Sequence, residues 1–394
     1  MVVSEADNNY DVIVIGVGAM GAGICWRLAR RGLSVLGLEQ FAIAHDRGSS
    51  HGRSRVIRKA YFEDPRYVPL LHRTYEMWSA LEDAAREKLV YRCGCLNLGP
   101  PDHPCIEGVQ HSAKTHRLDH ERLDAAEVHR RWPGIEPSPG DVGVFERDAG
   151  FLVPERCVTA MARQAEASGA EILTGSRVVR WSARHGRATV QTQAGQFACR
   201  QIVLSSGPWL ANVLGVERGG DSGQADVSGL RLPLRVERQV QLWFEPNKRE
   251  LFRVDALPAF IHFTGAETFY GIPELGDEGV KVARHHGGAI TTADDIDRAV
   301  RPADEEAVRG YLRRHLPQAD GRRIDGQVCM YTNTPDDHFI VDRHVAHDNV
   351  WIVGGFSGHG FKFAPVVGEI VTDLVTEGRT DHPIEFLRAG RLLS

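Results

Sequence analysis

Hydrophobic and polar positions follow three rhythms along this chain, and each predicts a different kind of element. Near the N-terminus, Asp11 to Ile15 is an apolar, β-branched run and Val35 to Leu38 is a second, with a helical stretch between them. Spacing of three and four residues predicts a helix over Pro65 to Ala85, with Leu70, Leu71, Tyr75, Trp78 and Leu81 near one face. It predicts another over Pro154 to Ser168, which starts at a proline and stops near Gly169. Shorter helices are expected at Ala125 to Trp132, Asp304 to His315 and Pro365 to Glu377. Strict alternation marks Arg235 to Phe244, Ala259 to Phe263, Phe269 to Ile272 and Val280 to Ala283, the pattern of an antiparallel sheet with one buried face.

The remaining strands set the order of the parts. Val90 to Gly99 reads as short strands and Ala170 to Leu173 as one strand. Arg177 to Ser182, Ala188 to Thr192 and Gln196 to Cys199 read as a meander with turns at His185-Gly186 and Ala194-Gly195. Gln201 to Ser205 returns to a buried strand, and Ser206 to Trp209 ends it in a loop. Around Asp148 to Val153 the chain changes character. Late in the sequence, Val350 to Gly354 is an apolar strand running into a glycine loop that reaches Lys362. A strand, a glycine loop and a helix thus occur at both ends of the chain, which predicts one discontinuous nucleotide domain with the antiparallel sheet inserted.

The first of those units carries Gly16, Gly18 and Gly21 in the G-x-G-x-x-G spacing, between a strand and a helix, with Glu39 closing the second strand. Gly16 permits the tight turn, Gly18 lets the backbone approach a pyrophosphate, and Gly21 lets the helix pack close to the strand. Unpaired N–H groups at the helix start suit phosphate charge. Glu39 is placed to accept from ribose hydroxyls and to repel a 2′-phosphate, which disfavours NADP. This stretch sees only the ADP half shared by NAD and FAD. The meander before the return to the parallel sheet is what favours a flavin. The expected fold class is therefore α/β (α+β, two-domain): a Rossmann-type FAD-binding domain over 1–88, 150–228 and 332–394, and an inserted antiparallel-sheet substrate domain over 89–149 and 229–331.

Composition narrows this reading. At 394 residues the chain exceeds what one core organises, and 42% hydrophobic with 25% charged residues is ordinary for a soluble protein. A net charge of -5 gives no reason to expect nucleic acid or an anionic membrane. No apolar stretch approaches the roughly 20 residues that span a bilayer, and the polar N-terminal MVVSEADNN lacks the features of a secretory signal, so a cytoplasmic location is the default. The 7 cysteines are scattered; Cys93-Gly-Cys95 with Cys105 lacks paired zinc spacing and reads as thiols. No metal is expected. The loop Ala44 to Tyr61 carries Arg47, Arg53, Arg55, Arg58 and Lys59, a set suited to a cofactor or an anionic substrate.

Four segments then carry a resemblance: GSSHGRSRVIRKAY (48–61), FYGIPELGDEGVKVARHH (269–286), VCMYTNTPDDHFIVD (328–342) and GGFSGHGFKFAPVVGE (354–369). In these the chain resembles the monomeric sarcosine oxidase and N-methyl amino acid oxidase group of the D-amino-acid-oxidase-like flavoproteins. The resemblance implies FAD attached covalently through Cys329, where composition alone reads a core cysteine. It implies Lys281 near flavin N5 as the group that promotes reaction with O2, although a lysine on an alternating strand is otherwise a solvated one. Arg58 and Lys362 match the pair that holds a substrate carboxylate, and Tyr270, His285 and Tyr331 the lining of the substrate cavity. His51 and Arg55 match basic groups against the flavin ring. His286 beside His285 leaves the register open by one residue. The cofactor set so implied is Gly16, Gly18, Met20, Gly21, Glu39, Gln40, Ser49, Arg55, Val178, Ser206, Gly207, Trp209, Cys329, Met330, Gly358, His359, Gly360 and Lys362. The loop 354–361 is expected at the flavin pyrimidine edge, with the following helix start and Lys362 favouring reduction.

Departures lie at Ser50-His51, Arg53-Ser54, Leu275 to Glu278 and Cys93 to Pro104, and they leave the substrate open. The implied activity is oxidation of a small secondary or N-methyl α-amino acid to an imine, with O2 reduced to H2O2, in a monomer without nucleic acid or membrane partners. A cyclic or larger imino acid is the alternative substrate. From other classes, a nicotinamide-linked dehydrogenase and a flavin-binding protein without turnover remain.

Overall fold

The computed structural model describes residues 9–184, 186–215, 230–265 and 267–393. Residues 1–8 of the polar N-terminal segment, His185 of the expected turn, and the 228/229 domain boundary lie outside the described residues.

Strand β1 (Asn9–Ile15) pairs in parallel with β2 (Val35–Leu38) on one side and with Gln196–Leu204 on the other. Val12 and Val14 enter one core, while Ile13 and Ile15 enter a second on the opposite face. Burial on both faces is why an unbroken apolar run stands where a half-exposed strand would alternate. Helix α1 (Ala19–Arg30), helix Pro154–Ala167 and helix Ala364–Glu377 fill the first core. Trp181 and Phe197 of the meander, with Leu210 and Val213, fill the second. The helix α1 and the last helix cross at glycines. A Cβ on Gly23 would lie 2.5 Å from the Ala364 carbonyl oxygen, and one on Gly368 would lie 2.4 Å from that of Gly23.

Gln196–Leu204 is one strand rather than the two expected. Its first part pairs antiparallel with Arg187–Thr192 and its last part pairs parallel with Val350–Gly354. The polar step at Arg200-Gln201, which reads as a break, is where the strand changes neighbours. The sequence pattern also gives no sign of the helix Pro104–His116, or of Ile340–Arg343, which pairs antiparallel with Val350–Gly354.

The second large sheet departs from expectation in two ways. Ala259–Phe263 pairs in parallel with Cys95–Gly99, so the sheet is mixed. Both faces are also covered in its centre. Val280 and Val282 pack with Val308, Tyr311 and Leu312 of helix Pro302–His315, whereas Lys281, pointing the other way, is only 1% exposed. Alternation reports which face meets the helix. It is unchanged when the polar face is buried as well. On that face, Trp243 pairs with Lys281, and the long strand Arg323–Asn333 pairs with Arg235–Phe244 so that Cys329 lies opposite Gln239. A small sheet of Arg55–Ile57, Gly150–Leu152 and Val90–Tyr91 carries Arg55 to the same region.

Candidate active site

Two cavities meet where the parallel strands end, the position at which open α/β sheets bind ligands. The larger is a cleft with about 1450 Å³ of atom-free space that continues into solvent. Gly16, Gly18, Met20, Glu39, Gln40 and Ser49 line it on one side, and Arg55, Val178, Ser206, Gly207, Trp209, Met330, Gly358 and Gly360 complete the wall. Gly16 sits at φ +90°, and a Cβ there would approach the Ser206 Cα to 2.6 Å. Gly18 caps α1 and the first turn of α1 contains no acid, so that its N–H groups, of which Ala19 N donates to Ser50 Oγ at 3.2 Å, suit an anion. Glu39 is buried at the wall, where its carboxylate accepts from Val17 N and Phe41 N, each at 2.9 Å. Ser206 Oγ and Thr332 Oγ1 are buried there with no hydrogen-bond partner among the described residues. A glycine cradle, an anchored acid and unpaired hydroxyls fit a bound dinucleotide.

Gly21 lies behind the turn, where a Cβ would stand 1.9 Å from the Gly16 carbonyl oxygen, so it serves packing. Cys329, His359 and Lys362 are also absent from the wall of the cleft.

The smaller cavity, with about 600 Å³ of atom-free space, shares Arg55, Tyr331, Gly358 and Phe361 with the cleft. Arg58, Lys362, Tyr270 and His285 line it, as does His359. Arg58 is 2% exposed, with its guanidinium between the rings of Tyr61 and Phe62, at 4.3 and 4.2 Å from their centroids. Its Nη2 donates to both oxygens of Glu63 at 2.8 Å, and Nη1 to the Ala60 carbonyl at 2.8 Å. Lys362 Nζ donates to the His359 carbonyl at 2.7 Å and lies 3.4 Å from the Tyr61 hydroxyl. Burial and neighbouring Arg58 push the Lys362 ammonium down to about 7, against the opposing pull of Glu63. Burial, with His286 and other cations nearby, likewise drives the His285 imidazole well below its ordinary range, so it stays neutral. His285 Nδ1 meets the Tyr331 hydroxyl at 3.1 Å, whereas His286 turns to Glu237 at 3.4 Å, so that of the two it is His285 that lines the cavity.

Behind the junction of the two cavities, Cys329 is fully buried, 3.5 Å from Arg55 Nη2. Burial alone would raise its thiol, but His51, Arg55 and Lys281 outweigh that and bring it down to about 6. Lys281 Nζ donates to the Gly52 and Ser54 carbonyls at 2.8 and 2.9 Å. Burial and Arg55 lower its ammonium well below the lysine range, with Cys329 and Glu155 opposing. The expected fixed positive charge at Lys281 thus depends on anions beside it.

A family described as DAO, FAD dependent oxidoreductase, has a sequence model that matches residues 11–374. The chain belongs to this FAD-dependent oxidoreductase family. It is 40% identical over 389 residues to a monomeric sarcosine oxidase of Streptomyces avermitilis, covering 97% of this chain and 98% of the relative. It is 35% identical over 367 residues to an N-methyl-L-tryptophan oxidase of Citrobacter koseri, covering 92% and 94%. Among solved structures it is similar to NikD, an amino acid oxidase essential for nikkomycin biosynthesis, with a TM-score of 0.84, 23% identity and 97% of each chain covered. That last likeness speaks for the two-domain fold alone.

In this oxidoreductase the basic loop divides its labour. Arg55 and Arg58 reach the cavities, whereas Arg53 pairs with Asp325, Lys59 with Asp148 and Arg47 with Asp46. Sequence reading missed Glu63, Tyr61 and Glu155, which hold the expected cations or their backbone by hydrogen bonds. An acid five positions after Arg58 in an irregular loop leaves no periodic signal. Among the described residues no group of three or more His, Cys, Asp or Glu could hold a metal ion, and no helix is long and apolar enough to cross a membrane.

Proposed function

We propose that this oxidoreductase oxidises the C–N bond of a small secondary or N-methyl α-amino acid to an imine, with O2 reduced to H2O2. One observation carries the reading: a cavity holding two buried cations, Arg58 and Lys362, shares four wall residues with the cofactor cleft. Two cations against the single carboxylate of Glu63 leave a positive balance that an α-carboxylate completes. The same excess of cations disfavours an ammonium group, so a substrate amine is bound neutral and no strong general base is required. Tyr270, His285 and Tyr331 surround that amine, with neutral His285 oriented by the Tyr331 hydroxyl. FAD, when bound, supplies the two-electron acceptor and passes the electrons on to O2. Gly16, Gly18 and the α1 N-terminus would hold its pyrophosphate, and Glu39 its ribose. For sarcosine, hydrolysis of the imine gives glycine and formaldehyde.

The lowered Cys329 thiol beside His51 and Arg55 supports thiolate attachment to the flavin. Acid precipitation tests this: yellow colour should stay with the pellet and should move to the supernatant in Cys329→Ser. Phe62 and Ile261 add apolar wall that a substrate as small as sarcosine does not need, which favours a larger N-methyl or cyclic amino acid as the second reading. Anaerobic flavin bleaching across sarcosine, N-methyl-L-tryptophan and pipecolate ranks these substrates. No bleaching by any amine would overturn the oxidase reading.

A further inference from the structure

We propose that Glu155 is a positioning residue of this site, and that with Lys281 it clamps opposite polar edges of the Gly52–Ser54 segment. The proposal rests on the roles given above to His51, Arg55 and Lys281. Gly52 N and Arg53 N both donate to Glu155 Oε1, at 2.7 and 3.0 Å. From the other side, Lys281 Nζ donates to Gly52 O and Ser54 O, at 2.8 and 2.9 Å. Four backbone groups of three consecutive residues thus end on two side chains. One comes from the first turn of helix Pro154–Ala167, the other from strand Val280–His285.

The segment requires such holding. Its backbone is left-handed at Gly52 (φ +103°) and again at Arg53 (φ +62°), where a side chain makes that conformation costly. Glycine suits the backbone at position 52, where a Cβ would stand 2.0 Å from Gln241 Oε1 and displace that amide. The segment also carries the chemistry at both of its ends. His51 precedes it beside Cys329, and Arg55 follows it, with Nη1 donating to Ser54 O at 2.8 Å. Releasing the peptide groups would move both basic side chains relative to Cys329 and would strip Lys281 of its acceptors. The Arg53 guanidinium has its own anchors, Asp325 and the Trp243 ring, but these fix the side chain and leave the peptide N–H groups to Glu155.

Because both amides share one oxygen, two substitutions separate clamp from general stability. Glu155→Gln retains a carbonyl oxygen at that position, while Glu155→Ala removes it. Limited trypsin digestion of the holoenzyme, read by mass spectrometry as cleavage after Arg53, should be about tenfold faster in Glu155→Ala and within about twofold of wild type in Glu155→Gln. Lys281→Met, which takes the ammonium from the two carbonyls and leaves them only Ser54 N and Arg55 Nη1, should also accelerate that cleavage. Reoxidation of amine-reduced enzyme by O2 should slow about tenfold in Glu155→Ala and less in Glu155→Gln, which keeps the acceptor for both amides but removes the negative charge beside Lys281. Unchanged cleavage in both Glu155→Ala and Lys281→Met would overturn the clamp, as would equal acceleration by Ala and Gln. If no amine reduces the flavin, the functional reading fails while the proteolysis arm still decides the clamp.

Discussion

The cofactor cleft and the smaller cavity are neighbours built on opposite principles. The cleft is shaped by backbone: Gly16 and Gly18 at a strand-to-helix turn, with its one buried acid, Glu39, held by peptide N–H groups. The smaller cavity is shaped by charge: Arg58 and Glu63, paired within one loop, meet Lys362 from the far end of the chain out of water, with one cation in excess. A backbone site tolerates changes of side chain but not of volume at its turn. A charge site tolerates volume but not the loss of one partner, because a buried ion left alone is costly.

Arg58→Ala is expected to break the charge site hardest. It removes a carboxylate partner and strands Glu63, at a cost of about 3–5 kcal/mol for a broken buried pair. In steady-state peroxide assays, kcat/KM for a carboxylate-bearing amine should fall about 100-fold or more, while flavin content stays near wild type. The double variant Arg58→Ala/Glu63→Gln should recover thermal stability without recovering substrate affinity. If flavin content fell in step with kcat/KM, the two sites would not be separable as described.

Gly21→Ala should do the reverse. A Cβ 1.9 Å from a backbone oxygen cannot be accommodated in place, and overpacking of about 1–3 kcal/mol should weaken FAD binding about ten- to 100-fold, measured by flavin titration in a Cys329→Ser background. The smallest effect is a titration. Lys362, depressed to about 7, is charged below that pH and neutral above it. Binding of acetate as a carboxylate probe, followed by flavin difference spectra, should therefore weaken by up to about tenfold per unit as pH rises above 7. Lys362→Met should bind acetate weakly at all pH values and lose that slope.

This contrast also explains what was legible in the sequence. The G-x-G-x-x-G turn, β1 and β2 are local, so spacing alone located one end of the cleft and the parallel sheet. The smaller cavity draws on strands and loops whose proximity depends on the fold, and resemblance to a family, not pattern, pointed to Arg58, Lys362 and Tyr270. Glu63 escaped because it lies on irregular backbone, where an acid has no phase to betray it, and Glu155 because the helix that carries it does not reveal which loop its first turn meets. The merging of Gln196 to Leu204 into one strand was hidden by polar residues at the point where it exchanges neighbours. The mixed sheet was hidden because periodicity reports faces and says nothing of strand direction.

The crossing of α1 and the last helix at Gly23 and Gly368 also bears on how the protein is made. The first βαβ unit leaves the ribosome early, yet its helix finds this partner only when residues 364–377 have emerged. Until then the final part of Gln196–Leu204 also lacks its parallel neighbour, Val350–Gly354, and presents an open edge. The nascent chain thus waits with these two parts unjoined, and the cleft, which residues 355–358 also line, is complete only when they meet.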